Sequence, residues 1–323
     1  MIGHGTNTLV SFPVTTLEPM GLSRRAAATT ALGTAGAVGA SLGFLFGETV
    51  LARRLIGVTE ERPPSPDGIY GDNLSGDPVR LLVLGDSAAV GYGMKTQLTT
   101  PPAILGWGLA QLVQGPVEVR SVAVVGAEST DLADQVDRGI DFHADVAVIV
   151  VGANDVTHLK SMSDAVGALQ VAISRLVGAG TDVVVGTCPD LGTVKPLMEP
   201  LRSIARLQSR RMARKQTVGA IEAGARTVSL GSLLGPMFSE QHELMFGDDR
   251  FHPSASGYAG MAGALLPSLA DAVHERRSEP HEDRDGATEE VMPVEEAAEQ
   301  AAQQSGTEVR RTGRWAAVMR RLR

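Results

Sequence analysis

Four short stretches carry residue types that can do chemistry together. LLVLGDSAAVGYG, residues 81–93, ends an aliphatic run on Gly85, Asp86 and Ser87. SVAVVGAEST holds Gly126, VGANDVTH holds Asn154 and Asp155, and FGDDRFHPSASGYAG holds Asp248, Asp249 and His252. A serine hydroxyl attacks an acyl carbon when a base within hydrogen-bond reach accepts its proton. His252 is of the right type for that base, because histidine exchanges protons near neutral pH. A histidine base needs a carboxylate that holds its tautomer and stabilises the imidazolium, and Asp249 lies three residues before it. The tetrahedral oxyanion needs donors already aimed at it. The backbone N–H groups of Ser87 and Gly126 and the side-chain amide of Asn154 are of the right kind.

These residues need a scaffold that brings four distant stretches to one place. The apolar runs RLLVLG (80–85), VEVRSVAVV (117–125), DVAVIVVG (145–152), TDVVVGT (181–187) and RTVSLG (226–231) read as strands. Helical patterns at 101–114, 129–139, 162–178 and 199–223 lie between them, and another at 254–275 follows the last. Short, continuous aliphatic runs alternating with helices indicate a parallel sheet covered on both faces. In such sheets the ligand site lies outside the carboxyl ends of the strands, where all four stretches would stand. Ser87 has a structural alternative as the cap of the helix after the first strand. Asp86 and Asp155 read as acids that hold their own turns. His158 is assigned either to the pocket or to a solvated loop, and Asp190 either to the crevice or to a turn beside Pro189.

Taken together, the four blocks resemble the SGNH hydrolases, the GDSL family of esterases and lipases, over about residues 79–275. Gly85-Asp86-Ser87 resembles the first block of that family and Gly126 the glycine of the second. Gly152-Ala153-Asn154-Asp155 resembles the third block, and Asp249-Arg250-Phe251-His252 the terminal D-x-x-H. Ala88 stands where the GDSL form has leucine. GTCPDLG and FHPSASGYAG resemble, more loosely, a bacterial branch with N-terminal membrane segments. The resemblance implies a flavodoxin-like three-layer α/β/α fold with a five-stranded parallel sheet. It implies ester hydrolysis without metal or organic cofactor. Ser87 would be the nucleophile, His252 the base and Asp249 its orienting acid, with Ser87, Gly126 and Asn154 forming the oxyanion hole.

Other sites fail on spacing. The nucleophile elbow G-x-S-x-G is not met by GDSAA. Gly91-Tyr92-Gly93-Met94-Lys95-Thr96 lacks the glycine that a phosphate loop needs before its lysine, and lacks the third glycine of the dinucleotide fingerprint. The lone cysteine, Cys188, reads as a buried structural thiol. The net charge of −8 argues against a general nucleic-acid binder.

The ends carry their own signals. Residues 1–25 are polar and aperiodic and read as disordered. Segment 26–50 contains an uncharged run, 26–47, of the length that crosses a bilayer as a helix. It reads as a membrane anchor, a cleaved export signal or a soluble helix packed on the body. Residues 51–78 read as a linker and 79–275 as the hydrolase domain. Residues 276–323 form an acidic, then basic tail whose end, VRRTGRWAAVMRRLR, places an apolar stripe within a basic border. Such a helix suits an anionic membrane surface; a solvated tail is the alternative. The expectation is an exported or membrane-anchored serine esterase of the cell envelope, acting on short acyl esters of lipids or glycans. A lysophospholipase, a thioesterase or a non-catalytic lipid- or glycan-binding scaffold are the alternatives.

Overall fold

The computed structural model describes residues 63–278 and 308–309. The expected anchor at 26–50 and the basic end of the tail lie outside the described residues. Among the described residues no helix is long and apolar enough to cross a membrane.

The strands are β1 Gly68–Tyr70, β2 Val79–Gly85, β3 Val117–Ser121, β4 Val146–Val150, β5 Asp182–Gly186, β6 Arg226–Val228 and β7 Glu308–Val309. The helices are α1 Ser87–Val90, α2 Pro101–Val113, α3 Leu132–Gly139, α4 Ala153–Thr157, α5 Met162–Gly178, α6 Leu201–Glu222, α7 Leu230–Glu240, α8 His242–Met245 and α9 Ala255–Arg277. They form one sheet of order β1-β3-β2-β4-β5-β6-β7. β2 to β6 are parallel, while β1 and β7 pair antiparallel at the two edges. Counting only the parallel strands, the order is 2-1-3-4-5, the flavodoxin-like arrangement.

The expected five parallel strands are therefore present, but among the described residues the sheet has seven. The extra two are three and two residues long, too short for any periodicity to show. β1 falls in the stretch assigned to the linker and β7 in the tail. The second expected strand, 117–125, ends at Ser121. Its last four residues leave the sheet as a loop, with Val122 and Val124 N–H donating to the Val83 and Gly85 carbonyls along β2.

β2 shows why the sheet is covered on both sides. Leu81 and Val83 face one layer with α2 and α9, packing among Leu105, Leu109, Tyr258, Leu265 and Leu269. Leu82 and Leu84 face the other, with α3, α5 and α6, among Leu132, Val136, Leu169 and Ile173. Successive strand residues point to opposite faces, so a strand buried on both carries no polar alternation. A third apolar cluster, with Leu191, Val194, Met212, Phe238 and Phe246, sits among α4 to α8 beyond the strand ends.

Candidate active site

Strand order reverses around β2, and there the first block emerges. Gly85 ends the strand at φ 135°. A Cβ at this position would lie 1.9 Å from the Val150 carbonyl oxygen, so only glycine fits. Its backbone is held at both ends by one buried side chain. Gly85 N–H donates to Gln135 Oε1 at 2.8 Å, and Gln135 Nε2 donates to Gly85 O at 2.9 Å. The next residue, Asp86, is the true helix cap: its carboxylate accepts from Ala88 N–H at 2.9 Å. The capping alternative for Ser87 is thereby removed, because Ser87 is the first residue of α1. Its hydroxyl points to the imidazole of His252.

His252 Nε2 lies 3.1 Å from Ser87 Oγ, and His252 Nδ1 lies 2.6 Å from Asp249 Oδ2. The other oxygen of Asp249 accepts the backbone N–H groups of Phe251 and His252, each at 2.9 Å. This tight loop needs Arg250 at φ 55°. It aims Asp249, and not the adjacent Asp248, at the imidazole. The imidazole is clamped by Tyr92, whose ring centroid is 4.3 Å away, and by Phe251 edge-on at 5.0 Å.

Gly126 sits at φ 83° in the loop after β3, with open space where a side chain would be. Its role as glycine is conformational rather than steric. Asn154 Nδ2 donates one hydrogen to Ala127 O at 2.9 Å and keeps a second. Neither the Ser87 N–H nor the Gly126 N–H has a protein acceptor among the described residues. Asp155, buried, accepts the Ser129 N–H and the Ser129 hydroxyl, the latter at 2.9 Å, and so ties the third-block loop to the second. This is the loop-holding role expected of it.

The two substrate-facing residues part company. Asp190 borders the crevice, but its carboxylate is committed. Oδ1 accepts Gly192 N–H at 2.8 Å and Oδ2 takes Arg210 Nη2 at 2.9 Å. The turn role is present in the bond to Gly192, and Asp190 also stands at the crevice. His158 is instead held by Glu128 Oε1 at 2.7 Å and does not line the cavity at Ser87. Its acidic neighbour gives the ring a partner in the loop.

Burial and partners divide the carboxylates. Burial pushes Asp86 up to about 7, against the Ala88 N–H bond and the nearby His252 that favour its ionised form. Burial also raises Asp155, against its Ser129 bonds. For Asp249 burial acts upward too, but the hydrogen bond from His252 and the backbone N–H groups of Phe251 and His252 outweigh it and hold the carboxyl below its ordinary value. Asp249 thus stays ionised beside the imidazole. Burial raises the Cys188 thiol well above its usual range, in keeping with a structural cysteine.

A cavity of about 90 Å³ opens at Ser87 and His252. Its far wall is apolar, with Leu191, Val194, Leu230, Leu234, Phe238 and Met261. Sequence reading missed this wall, since α7 was not separated from the run 226–231. It also missed Gln135 and Gln216. Gln216 spans two strand ends, accepting Cys188 N–H at 2.7 Å and donating to Val151 O at 2.9 Å. Both glutamines stand on buried helix faces, Gln135 in the stripe Leu132, Gln135, Val136, Gly139. A polar residue on such a stripe was the available signal, because a buried polar side chain must be bonded.

The sequence model of the GDSL-like lipase/acylhydrolase family matches residues 83–259, which hold all four blocks. The chain belongs to this family. A GDSL-like esterase of Mycobacterium tuberculosis is 38% identical over 268 residues, covering 77% of this chain and 85% of that protein. Among solved structures, an acetylxylan esterase of Geobacillus stearothermophilus is 20% identical, over 60% of this chain and 95% of that one, at a TM-score of 0.48. An alpha/beta hydrolase enzyme from the metagenome of Lake Arreo, Spain, is 15% identical, over 59% and 94%, at a TM-score of 0.50. The likeness to the lake enzyme concerns the fold. As a GDSL family member, the chain is an ester hydrolase.

Proposed function

We propose that the protein is a serine esterase for short acyl esters and that Ser87, His252 and Asp249 carry the reaction. The supporting observation is the 3.1 Å approach of His252 Nε2 to Ser87 Oγ at the mouth of the small apolar cavity. His252 Nε2 takes the hydroxyl proton as Ser87 Oγ bonds to the acyl carbon. The oxyanion draws on Ser87 N–H, Gly126 N–H and the uncommitted N–H of Asn154. His252 then returns the proton to the leaving alcohol as the ester C–O bond breaks. A water repeats the sequence and releases the acid. Asp249 keeps its charge throughout and holds Nδ1–H.

Cavity size supports the short-acyl part. A dry cavity of about 150 Å³ accommodates benzene, so about 90 Å³ suits an acyl group of a few carbons. The uncharged run at 26–47 supports a seat at the cell envelope, with the catalytic body outside the cytoplasm. The test is hydrolysis of p-nitrophenyl acetate, butyrate and palmitate by the full chain, beside Ser87→Ala. Turnover should fall with chain length and vanish in the variant. Wild-type turnover by Ser87→Ala would refute the nucleophile, and preference for palmitate would refute the short-acyl assignment. Fluorophosphonate labelling at Ser87 checks the nucleophile independently of substrate.

A further inference from the structure

α7 is a partition with a different chemistry on each side. Leu230, Leu234 and Phe238, at i, i+4 and i+8, line the apolar cavity at Ser87. Ser232, Pro236 and Ser239 line a second, polar cavity of about 510 Å³. Across this groove α6 presents Arg206 and Arg210. Asp190 and Gly235 border both cavities, so the groove adjoins the catalytic pocket.

The charges in the groove do not cancel. Arg210 gives Nε and Nη2 to one oxygen of Asp190, at 3.2 and 2.9 Å. Arg206 places Nε 3.7 Å from the other oxygen and donates Nη2 to Gly192 O at 3.1 Å. Two guanidiniums therefore share one carboxylate, leaving one positive charge. A guanidinium has five N–H donors, so most remain unspent. The Arg206 and Arg210 side chains are 48% and 59% exposed, whereas that of Asp190 is 5% exposed. α6 also carries Arg211, Arg214 and Lys215 against the single acid Glu222, while Arg202 is paired with Glu199, in a chain whose net charge is −8. A local basic field of this kind concentrates anions.

We propose that the groove binds a phosphate group, and that the preferred ester carries this phosphate on its alcohol part. Planar, forked guanidiniums recognise phosphate oxygens by paired, charge-assisted bonds. Ser232 and Ser239 line the same space, and Ser232 Oγ also accepts from Ser229 Oγ at 3.0 Å. At about 510 Å³ the groove is larger than a phosphate needs, which leaves room for a glycerol or sugar unit. The acyl group would lie on the Leu234 side of α7 and the phosphate on the Ser239 side. The substrate part of this inference rests on the esterase reading above; the anion site does not.

The experiment compares kcat/KM of the full chain for 1-butyryl-glycerol 3-phosphate and for 1-butyrylglycerol. Calorimetric titration with inorganic phosphate runs alongside. Charge-assisted bonds of this type correspond to a preference of about tenfold or more for the phosphate-bearing ester. That ratio should fall towards one in Arg206→Gln and in Ser239→Glu. Ser239 is exposed and takes no part in the ion pairs of Asp190, so Ser239→Glu places a carboxylate in the groove without removing a bond that holds the fold. A ratio near one, with phosphate bound by the wild type and lost in Ser239→Glu, supports the anion site but assigns it to a free anion and overturns the substrate part. A ratio near one with no phosphate binding overturns the whole proposal. Hydrolysis of neither ester counts against the esterase reading, while the titration still decides the groove.

Discussion

Around Ser87, the crevice is held by backbone and by buried polar side chains, whereas the wall opposite, formed by α7 with Leu191 and Val194, is lined by apolar side chains and backed by the ion pairs of Asp190. On the first side Gln135 grips Gly85, Asp86 caps α1 and Asp155 ties down Ser129. On the second, Leu234 and Phe238 line a cavity while Arg206 and Arg210 meet Asp190 half-exposed. A nucleophile such as the one proposed at Ser87 must be placed to a fraction of an ångström, and hydrogen bonds in a low-dielectric interior give that direction. Apolar walls fix volume but not orientation, so they can change substrate without disturbing chemistry. The comparison predicts that variants on the first side lose rate or stability, and variants on the second change preference.

The largest effect tests the first side at its centre. His252→Ala should lower kcat by about 10⁴-fold, since loss of one triad member disables the unit. Circular dichroism and the melting temperature should stay close to wild type. Gln135→Ala strands the buried Gly85 N–H, whereas the Gly85 carbonyl keeps the Val124 N–H. It should cost about 3 kcal/mol of stability, read by urea denaturation. A loss below about 0.5 kcal/mol would mean that the clamp is idle.

Asn154→Ala should lower kcat by about 10²-fold with a smaller change in KM, as expected for a donor used in the transition state. An effect on KM alone would move Asn154 from the oxyanion to substrate binding.

Asp86 gives a pH signature. Folded, it keeps its proton up to about pH 7, while an unfolded Asp releases it near pH 3.9. The folded state binds the extra proton in that window, so stability is full below it and falls as pH rises through it. Wild type should lose about 3 kcal/mol relative to Asp86→Asn between pH 4.5 and 7.5, by denaturant titration. Parallel curves for the two proteins would show that burial does not perturb this acid.

The smallest effect belongs to the second side. Leu234→Ala enlarges the cavity and should raise the hexanoate-to-acetate ratio of kcat/KM by about fivefold. Equal losses on both esters would break the division between a chemical wall and a selective one.

Part of this organisation was legible beforehand. Leu81 to Leu84, apolar without alternation, announced a strand buried on both faces. The order of the blocks placed Ser87, Gly126 and Asn154 after successive strands and His252 before the last helix, because connection direction in a parallel sheet brings these loops to one edge. Gln135 and Gln216 were not legible as clamps, since their partners lie 50 and 65 residues away at Gly85 and Val151.

The sequence by itself determined the parallel sheet, the crevice at its carboxyl edge and the residue types gathered there. Strand burial and helix periodicity are local properties of neighbouring residues. Only the tertiary structure decided that Asp249 rather than Asp248 orients His252, that Asp86 rather than Ser87 caps α1, and that α7 divides an apolar cavity from a basic groove. These outcomes depend on where the Arg250 turn aims a carboxylate and on which faces of α6 and α7 meet. Contacts between residues far apart in the chain settle them, and no local pattern encodes such contacts.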